Sequence, residues 1–183
     1  MAPPITAFDV SIDLNLRGLR ALNTILVKAS AHPVATTTNL SSAKQPGGQN
    51  MPSLAFHVQA CTSLATDGLK LLTSAEQKAA AATSSEDTSL AHLIARVGNA
   101  ISLLEAGATK PDALDGVEHR SLEVRYGNGQ TATWGGRGYI LGYNIPNFMF
   151  HLCMAYSTLQ SQGVDVGKMD YLLPFMDGLA PAS

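Results

Sequence analysis

Apolar residues recur every three or four positions along four stretches of this chain. Phe8, Ile12, Leu16, Leu19, Leu22 and Leu26 form the first stripe. Leu54, Val58, Cys61, Ala65 and Leu72 form the second, and Leu90, Leu93, Ile94, Val97, Ile101 and Leu104 the third. This is the spacing of a helix that turns one face to a core. The fourth stretch, from about 137 to 162, is the most apolar, with Tyr139, Ile140, Leu141, Phe148, Phe150, Leu152, Met154, Tyr156 and Leu159. Pro146 lies inside it. A proline ring crowds the carbonyl four residues back, and that residue is Gly142, where the backbone has room to adjust. The spacing therefore predicts a kinked but continuous helix.

Punctuation supports these boundaries. Thr6 or Asp9 serves the start of the first helix, and Pro33 closes it. Asn50 caps the second, with Pro52 near its first turn. Thr88 or Ser89 caps the third, which Gly107 and Pro111 end. Residues 33–50 read as a long polar loop and 75–89 as a frayed helix followed by a flexible link. The tail after Gly163 reads as extended chain or a short helix packing back through Tyr171, Leu172 and Phe175, with 173–183 as its loose end. The period changes only once. Leu122, Val124 and Tyr126 alternate with Glu123 and Arg125, Asn128-Gly129 is a hairpin turn signal, and Thr131, Thr133 and Trp134 make the return strand. The expected fold class is all-α: one domain over 1–183, an antiparallel four-helix bundle with a small β-hairpin before the last long helix.

Charge narrows the function classes. Twelve basic residues against 14 acidic ones, a net charge of −2, give no electrostatic footprint for nucleic acid. At 45% hydrophobic residues the chain is not of the disordered class, and no apolar run reaches the length of a membrane span. Met1-Ala2-Pro3-Pro4-Ile5 lacks the pattern of a secretory leader. Cys61 and Cys153 are too few for a disulfide scaffold. A cytoplasmic domain is the expectation.

The candidate chemistry sits on the fourth helix. Tyr139, Tyr143, Asn147 and His151 are spaced by four and share one face, with Asn144 close to it. Buried polar groups must be paired. Either these groups satisfy one another and the backbone freed by Pro146, or they form the polar wall of a pocket. His57 lies one turn before Cys61, and would face His151 if the second and fourth helices are neighbours. His32 ends the first helix. Three histidines from three helices have the composition of a divalent zinc or nickel site, although no His-x-x-x-His pair exists. There is no Gly-x-Ser-x-Gly elbow, and Gly135-Gly136-Arg137-Gly138 matches no phosphate loop.

The segment Pro146-Asn147-Phe148-Met149-Phe150-His151, followed by Ala155-Tyr156, Gly163-Val164, Gly167-Lys168 and Asp170-Tyr171-Leu172, resembles the C-terminal motif of the family called Domain of Unknown Function number nineteen ninety-three. Lys28-Ala29, Ala31-His32 and Met51-Pro52-Ser53-Leu54 match it too. The likeness spans roughly residues 5 to 173. It implies a DinB-like helical bundle in up-down-down-up order. In many members of that wider group it implies a three-histidine metal site, and some relatives are thiol-dependent transferases or isomerases. His32 and His151 match family positions, whereas His57 stands where the pattern has glutamine.

Three functional expectations follow. The first is a small-molecule enzyme with an apolar pocket inside the bundle, carrying out acid/base isomerisation or cyclisation without a redox cofactor. His151, Tyr143, Asn147 and Tyr156 would be catalytic, and His32, His57, Tyr139, Trp134 and Phe148 would line the substrate. The second is a divalent-metal-dependent transferase or isomerase of the DinB-like kind, with His32, His57 and His151 as ligands. The third is a non-catalytic ligand-binding or dimerising module, using a face of Met149, Met154 and Tyr156. A hydrophobic small molecule is the expected partner, with a possible homodimer, and neither nucleic acid nor membrane.

Overall fold

The four apolar stripes become four long helices in the computed structural model, which describes residues 4–33, 52–73, 88–108, 110–125 and 129–178. A wide π-helical turn, Asp9–Asp13, leads into α1, Leu14–Ser30. Both expected start residues are used. The Thr6 backbone N–H and hydroxyl donate to Asp9 Oδ2, and the Asp9 N–H donates back to the Thr6 hydroxyl, which ties down the first free amides. Helix α2 runs Leu54–Thr73. The Phe56 N–H donates to Ser53 Oγ at 3.3 Å, so Ser53 does capping work at its start; Asn50 lies outside the described residues. Helix α3 runs Leu90–Ala108, with the His92 N–H on Ser89 Oγ.

The two strands of the hairpin form as expected, while Tyr126 and Asn128 lie outside the described residues. Strand β1 (Ser121–Arg125) pairs antiparallel with β2 (Thr131–Gly135), placing Leu122 opposite Trp134 and Val124 opposite Ala132. Leu122 and Val124 are buried, because an isolated pair of strands needs a helical surface to lie on. The glycine-rich segment after β2 has a steric reason. The Gly136 N–H donates to the Arg120 carbonyl, and a Cβ at Gly136 would overlap the Val117 carbonyl.

From Gly136 the chain is helical without a break to Ser161: one turn at Gly136–Gly138, a π-helical segment at Tyr139–Asn144, then α4, Ile145–Ser161. The expected kink is thus replaced by a widened turn. Pro146 lacks an N–H and crowds the Gly142 carbonyl, and a π-turn just ahead of it relaxes both demands. The tail is a short helix, α5, Lys168–Met176. It is fastened to α1 by Lys28 on Asp170 (2.8 Å) and by Arg17 donating to the carbonyls of Phe175 and Asp177. The segments 34–50 and 74–87, and the end of the tail from 179, lie outside the described residues.

Specific contacts give the helix directions. Asn15 meets Asn144 and Gly18 meets Phe148, so α1 and α4 run parallel. Arg96 meets Thr62 and Gly107 meets Leu69, so α2 and α3 also run parallel. His57 meets His151 while the Leu64 carbonyl meets Asn144, so α2 and α4 are antiparallel. The expected antiparallel packing therefore holds across α2 and α4 and across α1 and α3, where Arg20 meets Glu105, in the up-down-down-up order that the resemblance implied. No described helix is long and apolar enough to cross a membrane.

Two points pin this packing. Phe148 is fully buried against Gly18, where a Cβ would overlap its ring. Asn144, also buried, accepts from Asn15 Nδ2 on α1 and donates to the Leu64 carbonyl on α2, both at 2.9 Å, with the Tyr139 hydroxyl at 3.4 Å. Urea unfolding should show Gly18→Ala losing about 1–3 kcal/mol by overpacking. Asn144→Ala should lose roughly 2–4 kcal/mol, because it leaves Asn15 without its buried acceptor and opens a hole.

Candidate functional site: a histidine pair where α2 meets α4

His57 stands in the first turn of α2, and His151 lies in the middle of α4. Antiparallel packing brings their rings together, with Nδ1 of one 2.9 Å from Nδ1 of the other and ring centroids 5.2 Å apart. A nitrogen–nitrogen contact of this length is a hydrogen bond, which needs one protonated and one bare nitrogen. At least one ring is therefore neutral, and the surroundings favour the neutral form of both. Burial drives this: His57 is fully buried and His151 half-buried. Loss of solvation, followed by the neighbouring His151 and opposed by the Pro52 carbonyl, pushes His57 down to about 4. Burial likewise lowers His151. Nε2 of His57 is buried with no hydrogen-bond partner among the described residues.

Two phenylalanines frame the pair. Phe56 meets both imidazoles edge-on, at 5.8 Å from His57 and 5.6 Å from His151. Phe150 does the same, at 6.3 Å and 5.3 Å. Each phenylalanine stays about half exposed, Phe56 at 49% and Phe150 at 53%. Two Phe-His dipeptides thus interlock across the helix crossing, with the histidines turned inward and the phenylalanines outward. Sequence reasoning passed over Phe56. The signal was the same Phe-His dipeptide recurring in the second and fourth helical stretches.

The remaining expected site residues scatter. Asn144 and Tyr139 belong to the buried junction, and desolvation pushes the Tyr139 hydroxyl well up. Tyr143 is half-buried between the rings of Trp134 and Tyr139, at 6.0 and 5.9 Å. Asn147 is half-buried one turn before His151. Phe148 is core rather than pocket wall. Tyr156 donates to the Val166 carbonyl at 3.1 Å and packs against Tyr171, so it holds the chain leading to α5. The supposed dimer face of Met149, Met154 and Tyr156 is covered in part by α5, whose Tyr171 hydroxyl reaches Met149 Sδ. Cys61 is a buried thiol facing the Phe148 carbonyl, its pKa raised by burial, while Cys153 is exposed.

His32 ends α1 half-buried, its N–H on the Ala29 carbonyl. Among the described residues no group of three or more His, Cys, Asp or Glu side chains comes close enough to hold a metal ion. The proposed ligand set of His32, His57 and His151 is therefore not assembled. Two imidazoles meet there, and no third His, Cys, Asp or Glu side chain joins them among the described residues. Among the described residues Tyr139 lies in the buried junction with Asn144, whereas His151 lies at the crossing with His57. A groove of about 450 Å³, lined by residues including Val10, Arg137 and Leu141, and another of about 430 Å³ between α2 and α3, both lie away from the pair.

A crystal structure of a DinB family member protein from Shewanella denitrificans is similar in fold. The TM-score is 0.69 over 96% of this chain and 94% of that one, at 24% sequence identity. None of the curated proteins matches. The family model described as Domain of unknown function (DUF1993) matches residues 7–172. Both likenesses run through all four long helices and the hairpin, and they agree with the motif that ends in His151. This chain belongs to the DUF1993 family.

Proposed function

We propose that this protein is an acid/base catalyst of isomerisation or cyclisation acting on an apolar small molecule, with the His57–His151 pair as its proton-transferring element. The observation that carries the reading is the 2.9 Å Nδ1–Nδ1 contact between two desolvated imidazoles, one of them fully buried. With both Nδ1 atoms engaged, Nε2 of His151, on the half-exposed ring, is the nitrogen offered to a bound molecule. His57 Nδ1 faces both the Pro52 carbonyl and His151 Nδ1, and in the tautomer in which His151 holds the shared proton its Nε2 is a bare base. It takes a proton from an acidic C–H, and His151 becomes an imidazolium held by neutral His57. The same proton then returns to a different carbon of the bound anion, which completes the shift. His57 positions His151 and, at about 4, stays neutral throughout. The exposed edges of Phe56 and Phe150 supply an apolar seat. A zinc- or nickel-dependent reading would need a third ligand beside His57 and His151, and none stands there among the described residues.

Two outcomes test this reading. The first is thermodynamic. Folding lowers the histidine pKa values, so the unfolded chain binds more protons at mildly acid pH. Stability is then complete above about pH 6.5 and is lost as pH falls toward 4. Calorimetry should show Tm dropping by roughly 5 °C between pH 7 and pH 5, with a clearly smaller drop in His57→Gln. An unchanged slope in that variant would show that the pair is not neutral. The second is chemical. In D2O, a panel of apolar ketones and enones monitored by proton NMR should include members whose α-C–H exchanges faster with protein present. His151→Ala should slow that exchange by about a hundredfold or more. Exchange that persists in the variant sinks the reading.

A further inference from the structure

We propose that the groove beside the start of the helical run 136–161 is a second binding site, which takes a small zwitterion: an α-amino acid with an apolar side chain. The groove measures about 450 Å³, within the range of small-molecule sites. Its charged lining is Arg137 from the helical run and Asp115 and Glu118 from the turns that precede β1. Most of the remainder is apolar, with Val10 from the wide turn before α1, then Leu114, Ile140 and Leu141.

Opposite charges line this groove without neutralising each other. Among the described residues, the exposed side chains of Arg137 and Asp115 form no ion pair or hydrogen bond, with one another or with a third group. Glu118 has the exposed His119 beside it at 3.4 Å, and Arg120 is turned away to the Leu72 carbonyl. The backbone fixes the two signs of charge relative to each other. The Gly136 N–H donates to the Arg120 carbonyl at 2.8 Å, and a Cβ at Gly136 would overlap the Val117 carbonyl. Arg137, the next residue, is thereby held close to the segment that carries Glu118. Gly116, with φ at 71°, makes the turn between Asp115 and Glu118. The Thr6 hydroxyl also lines the groove, but its proton goes to Asp9. Two carboxylates against one guanidinium set the recognition. A lone carboxylate is drawn by Arg137 and repelled by the two acids, and a lone amine meets the reverse. A zwitterion answers both, with its carboxylate on the planar guanidinium fork and its ammonium on the acidic pair. Buried Leu114 and Ile140, with half-exposed Leu141, offer an apolar surface for the side chain.

The groove shares no lining residue with the histidine pair, so it stands or falls apart from that reading. The probes are L-leucine and L-phenylalanine, each titrated into the full chain by calorimetry and by amide chemical-shift mapping at neutral pH and constant ionic strength. Saturable binding of either, with shifts centred on Thr6–Val10, Leu114–Glu118 and Arg137–Leu141, is the expected result. Analogues that keep one charge separate the terms: isocaproate and isoamylamine for leucine, hydrocinnamate and phenethylamine for phenylalanine. Each should bind about fivefold or more weakly than its parent. Arg137→Gln should weaken amino-acid binding by about fivefold or more with Tm unchanged, as should Asp115→Asn combined with Glu118→Gln. His151→Ala should leave it unaltered. No saturable binding of either amino acid, an analogue that binds as tightly as its parent, or affinity unaltered in Arg137→Gln would overturn the proposal.

Discussion

The arrangement rests on one buried side chain that bonds in two directions. Asn144 accepts from Asn15 on α1 and donates to the Leu64 carbonyl on α2. Apolar packing alone tolerates sliding between helices, because one leucine fits a hollow about as well as another. A buried amide does not tolerate it, since a shift of one turn would strand several polar atoms away from water. Asn144 thus fixes the register of α2 against the helical run 136–161. Two turns further along, that register sets His151 opposite His57. The histidine contact is a downstream result of the asparagine junction, and Phe148 on Gly18 holds the α1 side to the same alignment.

A good part of this was legible in the chain. Four stripes of period 3.6 and one stretch of period two are local facts, and they specify local structure directly. The facing of His57 and His151 was legible as a conditional, awaiting the neighbour order of helices. What was not legible was long-range. Spacing by four puts Tyr139, Tyr143, Asn147 and His151 on one face only if the helix is α throughout. The π-segment at Tyr139–Asn144 alters the phase within the run, so its two ends serve different surroundings: a sealed junction at Asn144 and a half-open crossing at His151. Parallel packing of α1 with α4 and of α2 with α3 also leaves no trace in periodicity. It entered through the family motif.

The histidine pair illustrates how low polarity shapes chemistry. An exposed imidazole changes charge near neutrality, whereas two imidazoles bonded nitrogen to nitrogen under two aromatic edges resist it. The buried Nε2 of His57 is then costly, and such a cost is a common mark of a site arranged for something other than stability. Elsewhere the polar chemistry is conventional. Thr6 with Asp9 and Ser53 start helices, Ser89 assists another, and Lys28 and Arg17 hold the tail helix.

The widened turn ahead of Pro146 carries one residue more than an α-turn would. Each helical residue advances the chain by about 100° around the axis. Everything upstream of the bulge, the β-hairpin included, is thus swung by that angle relative to everything downstream. Shortening this stretch by a single residue would restore a uniform spiral and carry the hairpin off the surface it covers, while leaving His151 where it is. The bulge works as a phase adjuster between two ends of one long rod.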